Sequence, residues 1–297
     1  MSNSQIKMLR QPKTNGPLRQ GDFTIMRVFE DCVFISYSEI TRPPAIYCVR
    51  FLDTNAASLD ALLAEDNIET KLVEQLTLDS PAQGDDFHRF YAEQVAAVQH
   101  DYVNLDNGAE ALFMRPGNLD PSKKHPMLLV IHGGPFSASP YHLFLAGRHT
   151  LLMQGFCLLI VNYRGSIGYG EDCLNTLLGT IGENDAQDCG NLTKKALEQF
   201  SDIIDPERLG VFGGSHGGFL TGHMIGQPEF KDMWKAASLW NPVLDMTYMV
   251  NSTDIPDWIF ACCGVEELDF NALTPERKVN FFNRSPMAYM QNVTTPA

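Results

Sequence analysis

Ser215 stands in Gly213-Gly214-Ser215-His216-Gly217, between an apolar run, Leu209 to Phe212, and a segment of helical composition, His216 to Gly226. A serine hydroxyl is a weak nucleophile until a base takes its proton and nearby donors receive the charge that develops on the attacked carbonyl. Strand, glycine cluster around one serine, then helix is the order of a nucleophile elbow, which holds the serine in a strained conformation with its hydroxyl out of the sheet. The glycines are steric: a Cβ at 213, 217 or 218 would collide where strand and helix pass close together. The pattern G-x-S-x-G alone arises by chance in about one chain in ten of this length, so its surroundings must carry the assignment.

Met127 to Ile131 is an apolar strand-like run that empties into His132-Gly133-Gly134-Pro135. A loop of this type supplies one backbone N–H of an oxyanion hole, here Gly134, and the residue after the serine, His216, supplies the other. Donors of this kind are worth about 3 to 4 kcal/mol each when deleted. A third apolar run, Cys157 to Val161, leads into Asn162-Tyr163-Arg164-Gly165-Ser166 and the glycine-rich Gly168-Tyr169-Gly170. The chemistry implied is acyl transfer through serine, that is, hydrolysis of an ester or amide.

The elements that must position these residues alternate. After Met127 to Ile131 come a helical segment from Leu143 to Met153 stopped by Gly155, the strand Cys157 to Val161, a helix over Asp185 to Phe200, the strand Leu209 to Phe212, the helix from His216, and the strand Ala236 to Leu239. Such alternation predicts a parallel sheet with helical crossovers and ligand sites at the carboxyl ends of its strands. Ahead of it, Val98 to Leu105 and Ala109 to Arg115 flank Asp106-Asn107-Gly108, a hairpin turn. Residues 1 to about 20 are polar with Pro12, Gly16 and Pro17, a lead-in without chemistry. Phe23 to Val28, Cys32 to Tyr37 and Ile46 to Leu52 read as antiparallel strands, Ala56 to Ala64 as a short helix, Lys71 to Leu78 as extended, and Ser80 to Gly84 as a linker. Further on, Asn241-Pro242-Val243 and Ser252 to Trp258 are expected as loops over the site, with Ile255, Trp258 and Phe260 as candidate pocket walls, although large apolar side chains pack in cores far more often than they recognise ligands. Pro275 to Phe282 reads as a helix opened by proline, and Pro286 to Met290 as a short helical turn.

Taken together, His132 to Pro135, Asn162 to Ser166 with Gly168 to Gly170, Gly213 to Gly218, Asn241 to Val243 and Ser252 to Trp258 resemble the prolyl oligopeptidase family of serine peptidases, and within it the acylaminoacyl-peptidase branch, over about residues 85 to 297. The resemblance implies an α/β class, an α/β-hydrolase fold incomplete at its C-terminus (residues 85–297), preceded by remnant strands of a β-propeller (residues 1–84). It implies release of N-acylated amino acids from short blocked peptides, with Ser215 as nucleophile and the Gly134 and His216 amides as oxyanion donors. His132, Gly133, Ile255 and Trp258 are then candidates for the substrate pocket. In this fold the acid and the histidine of the triad follow the serine. The resemblance places both beyond Ala297, so it carries onto no acid or histidine here, and the 297 residues are expected to be a fragment with little activity. His216 points away from the serine by helix geometry, and His223 lies ~12 Å further along the axis.

Composition narrows the alternatives. With 22 basic and 36 acidic residues and a net charge of −14, neither nucleic acid nor an anionic membrane is expected as a partner, because both recruit clustered Lys and Arg. No run is long enough to span a bilayer, and the N-terminus lacks the apolar core of a signal peptide, which together point to the cytoplasm. Seven cysteines without C-x-x-C spacing read as free thiols. No metal and no cofactor is expected, since no phosphate loop, dinucleotide fingerprint or ligand cluster occurs. A carboxylesterase-like hydrolase sharing the elbow, and a catalytically dead isoform that binds peptides or the complete enzyme, remain alternatives. A homo-oligomer is left open.

Overall fold

In a computed structural model of the chain, the residues described are 21–40, 42–55, 57–58, 61, 67–75, 93–95, 97–139, 147–265 and 273–297. The polar lead-in, the linker at Ser80 to Gly84, most of Ala56 to Ala64, and Leu143 to Ala146 lie outside them. The described residues fall into two compact units, one within Met1–Ala97 and Pro140–His149, the other comprising Val98–Ser139 and Thr150–Ala297. In the first unit, β1 (Gly21–Phe29), β2 (Cys32–Glu39), β3 (Arg42–Phe51) and β4 (Ile68–Gln75) form an antiparallel sheet in chain order.

The second unit carries a six-stranded sheet. Its strands are β5 (Gln99–Asn104), β6 (Glu110–Arg115), β7 (His125–Ile131), β8 (Cys157–Asn162), β9 (Ile204–Gly214) and β10 (Ala236–Trp240), in the spatial order β10-β9-β7-β8-β6-β5. β10, β9, β7 and β8 run parallel; β6 and β5 continue the sheet antiparallel. The hairpin between β5 and β6 turns at Gly108, φ 91°, as the Asp106-Asn107-Gly108 sequence requires. β8 is buried at every position, which explains why it reads as an unbroken apolar run instead of an alternating one.

Helices α1 (Arg148–Met153), α2 (Glu171–Asn175), α3 (Asn184–Gln199), α4 (His216–Gly226), α5 (Met246–Met249), α6 (Pro256–Cys262) and α7 (Pro275–Asn283) complete the described elements, with 3-10 segments at Lys231–Met233 and Pro286–Asn292. α4 is buried along its whole length. Among the described residues no helix is long and apolar enough to cross a membrane, and no group of three His, Cys, Asp or Glu is placed to hold a metal ion. All seven cysteines are free thiols.

Two expectations need correction. Ser252 to Trp258 is not wholly a loop: Pro256 opens α6, where its fixed φ suits the first helical position. The helix forms because Ile259, Phe260 and Cys262 face the core. Phe260 is therefore no pocket wall; it is fully buried and meets Phe281 edge-on at 5.6 Å.

His223 gives this core a pH dependence. Its Nε2–H donates to the Arg284 carbonyl (3.1 Å) and its Nδ1 accepts from the Gln227 amide (2.9 Å), so the ring is held neutral. Burial pushes this imidazole down from its usual 6.5 to about 4. The unfolded chain takes up the proton near 6.5 and the folded chain only near 4. The stability involved is thus complete above pH 6.5 and is lost as pH falls toward 4. Urea unfolding at pH 5 is expected to show about 2 kcal/mol less from this group than at pH 7.5, and His223→Gln should remove that increment. Equal slopes for the two chains between pH 7.5 and pH 5 would contradict it.

Candidate active site

The strand order reverses at β7, which has β8 on one side and β9 on the other. Sheets of this kind bind ligands outside the carboxyl ends of the strands at that reversal. Two of the sequence motifs meet there. β9 ends at Gly214, Ser215 turns the chain, and α4 begins at His216. Ser215 has φ 57° and ψ −121°, a conformation that costs a non-glycine residue about 1 to 3 kcal/mol. It is exposed, and its hydroxyl makes no hydrogen bond among the described residues. The turn is pinned through the backbone by Ser215 N–H to Trp240 C=O (2.9 Å) and Phe219 N–H to Ser215 C=O (3.0 Å).

Glycine allows three backbones to meet at this point. A methyl on Gly213 would run into the Gly217 carbonyl, and one on Gly217 into the Ile131 carbonyl. One on Gly133 would come 2.9 Å from Gly214 O and 3.3 Å from Ser215 Cβ. The His132 to Pro135 loop therefore abuts the elbow directly. Gly134 is exposed, with φ 129° and a cis bond to Pro135, and its N–H makes no hydrogen bond among the described residues. The His216 N–H is likewise unbonded, because the first residue of a helix has no carbonyl four residues back within it.

Side chains hold the loops from behind. The His132 ring stacks on Tyr163 (centroids 4.3 Å apart), its Nε2 meets Ser166 Oγ at 2.9 Å, and the Tyr163 hydroxyl donates to the His132 carbonyl at 3.1 Å. Burial, with Asp185 nearby, pushes the Tyr163 phenol well above its usual range, so it stays a neutral donor. His216 is buried with Nε2 at 2.9 Å from Asp185 Oδ2, so its ring is bonded to that carboxylate and not to Ser215 Oγ. Asp188 Oδ2 accepts from Arg164 N–H (2.9 Å) and Nε (2.8 Å), and its Oδ1 accepts from Arg164 Nη2 and Asn107 Nδ2 (both 2.8 Å). That pairing raises the guanidinium pKa. Of the candidate pocket residues, Trp258 is half-buried against the core and Ile255 is exposed at the start of α6.

The sequence motifs single out neither Asp185 nor Asp188, although both hold the loops around Ser215. A signal was present: Asp185, Asp188, Cys189, Leu192 and Ala196 share the buried stripe of α3, and two carboxylates on an apolar stripe need partners.

The model of the prolyl oligopeptidase family matches residues 144–297. Over 192 residues the chain is 42% identical to the acylamino-acid-releasing enzyme of Arabidopsis thaliana, covering 64% of this chain and 24% of that protein. Over 201 residues it is 36% identical to the acylamino-acid-releasing enzyme of Homo sapiens, covering 66% and 26%. The chain thus spans about a quarter of the length of these relatives. Among solved structures, acylaminoacyl peptidase of Pyrococcus horikoshii superposes with a TM-score of 0.70 at 22% identity, over 94% of this chain and 39% of that one. A puromycin-hydrolyzing peptidase of Mycobacterium tuberculosis gives 0.66 at 20% identity, over 90% and 37%. At such identities the structural likeness speaks for the fold alone.

Proposed function

Because the chain belongs to the prolyl oligopeptidase family of serine peptidases, we propose that Ser215 is the nucleophile of a hydrolase acting on N-acylated peptides. The observation that carries this reading is an exposed serine in a strained conformation beside two unbonded amides, those of His216 and Gly134. Ser215 Oγ attacks the carbonyl carbon of the blocked first residue. The carbonyl oxygen takes up negative charge against the two N–H groups, and collapse of the tetrahedral adduct expels the peptide amine and leaves an acyl-serine for water to cleave. The acylated substrate class rests on the names of the relatives. His132, Gly133, Ile255 and Trp258 are proposed to line the acyl residue's pocket, and the antiparallel sheet to be part of a β-propeller.

Among the described residues we assign the general base to none. Among the described histidines, His132, His216 and His223 are hydrogen-bonded elsewhere, and none is bonded to Ser215 Oγ. The test is labelling with a fluorophosphonate, using the chain alone and the chain extended by the C-terminal segment of the Arabidopsis thaliana relative. Labelling of the extended chain is expected at Ser215, at least about 10³-fold faster than in the chain alone, and Ser215→Ala should abolish it. An adduct on another residue, or equal rates with and without the extension, would refute the reading.

A further inference from the structure

Asp185 is the other half of a buried pair that touches the elbow without touching the serine. Its side chain and that of His216 are 0% and 1% exposed, joined at 2.9 Å. The carboxylate is gripped on its far side: Oδ1 accepts from Gly182 N–H (2.8 Å) and from Ala186 N–H (3.0 Å), at the turn that opens α3. The His216 ring is sandwiched by Phe219, stacked at 4.9 Å, and Tyr163, tilted at 5.7 Å. Tyr163 in turn stacks on His132 and holds its carbonyl. One carboxylate thus anchors a row of rings that ends on both loops flanking Ser215.

A buried carboxylate bonded to an imidazole has a cost that packing alone does not explain. Desolvating the pair offsets most of its attraction, and an apolar pair of the same volume is often as stable. The cost is compounded at His216 Nδ1, which is buried without a partner among the described residues. A directional bond, unlike an apolar contact, fixes the rotation of the imidazole. Through the first residue of α4 it also fixes the direction of the adjoining N–H.

We propose that Asp185 is a positioning residue, whose bond to the His216 imidazole aims the His216 backbone N–H at the space beside Ser215 Oγ. This rests on the reading of Ser215 as nucleophile. It adds a residue that meets neither substrate nor reacting atoms.

The test uses Asp185→Asn and the double variant Asp185→Asn/His216→Phe. The double variant keeps the ring sandwich and an acceptor for Gly182 while removing the imidazole bond, so it guards against a single variant that fails to fold. In the 297-residue chain, exchange of the Ser215 amide, which is hydrogen-bonded to the Trp240 carbonyl at the turn, is expected to quicken about tenfold or more in each folded variant, while residues 220–226 keep their wild-type rates. In the extended chain, the fluorophosphonate rate constant at Ser215 is expected to fall about 10²-fold with the probe's dissociation constant unchanged. Wild-type exchange at Ser215 in the folded double variant would overturn the proposal, as would wild-type labelling there. Exchange that quickens equally throughout α4 would also overturn it, by marking a loss of stability alone. Failure of the unsubstituted extended chain to label at Ser215 would remove the nucleophile reading and leave the exchange result to decide whether the Asp185 bond holds the turn at Ser215.

Discussion

Gly217→Ala is expected to abolish the cooperative unfolding transition of the unit formed by Val98–Ser139 and Thr150–Ala297, or to cost it more than about 4 kcal/mol, the range reserved for specific structural damage. Helix propensity argues the opposite way: alanine in a helix interior is favoured over glycine by about 1 kcal/mol. Sterics decide. A methyl at 217 would overlap the Ile131 carbonyl oxygen and lie 2.9 Å from the Ile131 carbonyl carbon and 3.0 Å from the His132 oxygen. All three are backbone atoms of β7 and the loop after it, so no side-chain rotation relieves the overlap, and either α4 or the end of β7 must move. Gly108→Ala is the control. Nothing lies within 4 Å of a methyl there and only the positive φ is strained, so about 1 to 2 kcal/mol should be lost. Thermal and urea unfolding of the two variants check the contrast. A Gly217→Ala chain melting within a few degrees of the unsubstituted one would mean that helix and strand are not in backbone contact.

The demand for that glycine is legible in the sequence, because a strand-serine-helix turn is a local event. Strand, turn and helix succeed each other within Leu209 to Gly226, and the steric demand falls on residues next to the serine. The parallel strands were readable for a related reason: a strand buried on both faces, such as β8, announces itself by composition. What escaped depends on partners far off in the chain. Asp185 finds His216 across 31 positions and Asp188 finds Asn107 across 81, and nothing local to α3 marks those distances. Phe260 illustrates the converse. Beside a motif it invites a functional role, yet the arrival of Phe281 from α7 buries it. Trp258 and Ile255 stay undecided by sequence because pocket walls are defined by curvature, which periodicity does not encode.

Asp188→Ala is expected to destabilise the same unit by about 3 to 5 kcal/mol, the cost of removing one partner of a buried ion pair. Asp188 is fully buried and Arg164 is 19% exposed, so the guanidinium would lose its counter-charge where water only partly reaches it. The bidentate geometry adds to the loss. Both carboxylate oxygens bind the guanidinium fork, one of them also takes the Arg164 backbone N–H, and the other takes Asn107 in the β5 to β6 hairpin. One substitution thus frees a loop at the carboxyl end of β8, a hairpin and a helix start. At about 2 to 4 °C per kcal/mol for a unit of this size, the melting temperature should fall by roughly 10 °C. Asp188→Asn, which keeps an acceptor but no charge, is expected to fall between the two. Ser166, two residues after Arg164, meets His132 Nε2, so the loss should spread to the Gly133 and Gly134 backbone beside Ser215. Hydrogen exchange over residues 132–139 should quicken in Asp188→Ala well below the melting temperature. Melting within about 2 °C of the unsubstituted chain would show that the pair contributes no more than an exposed one.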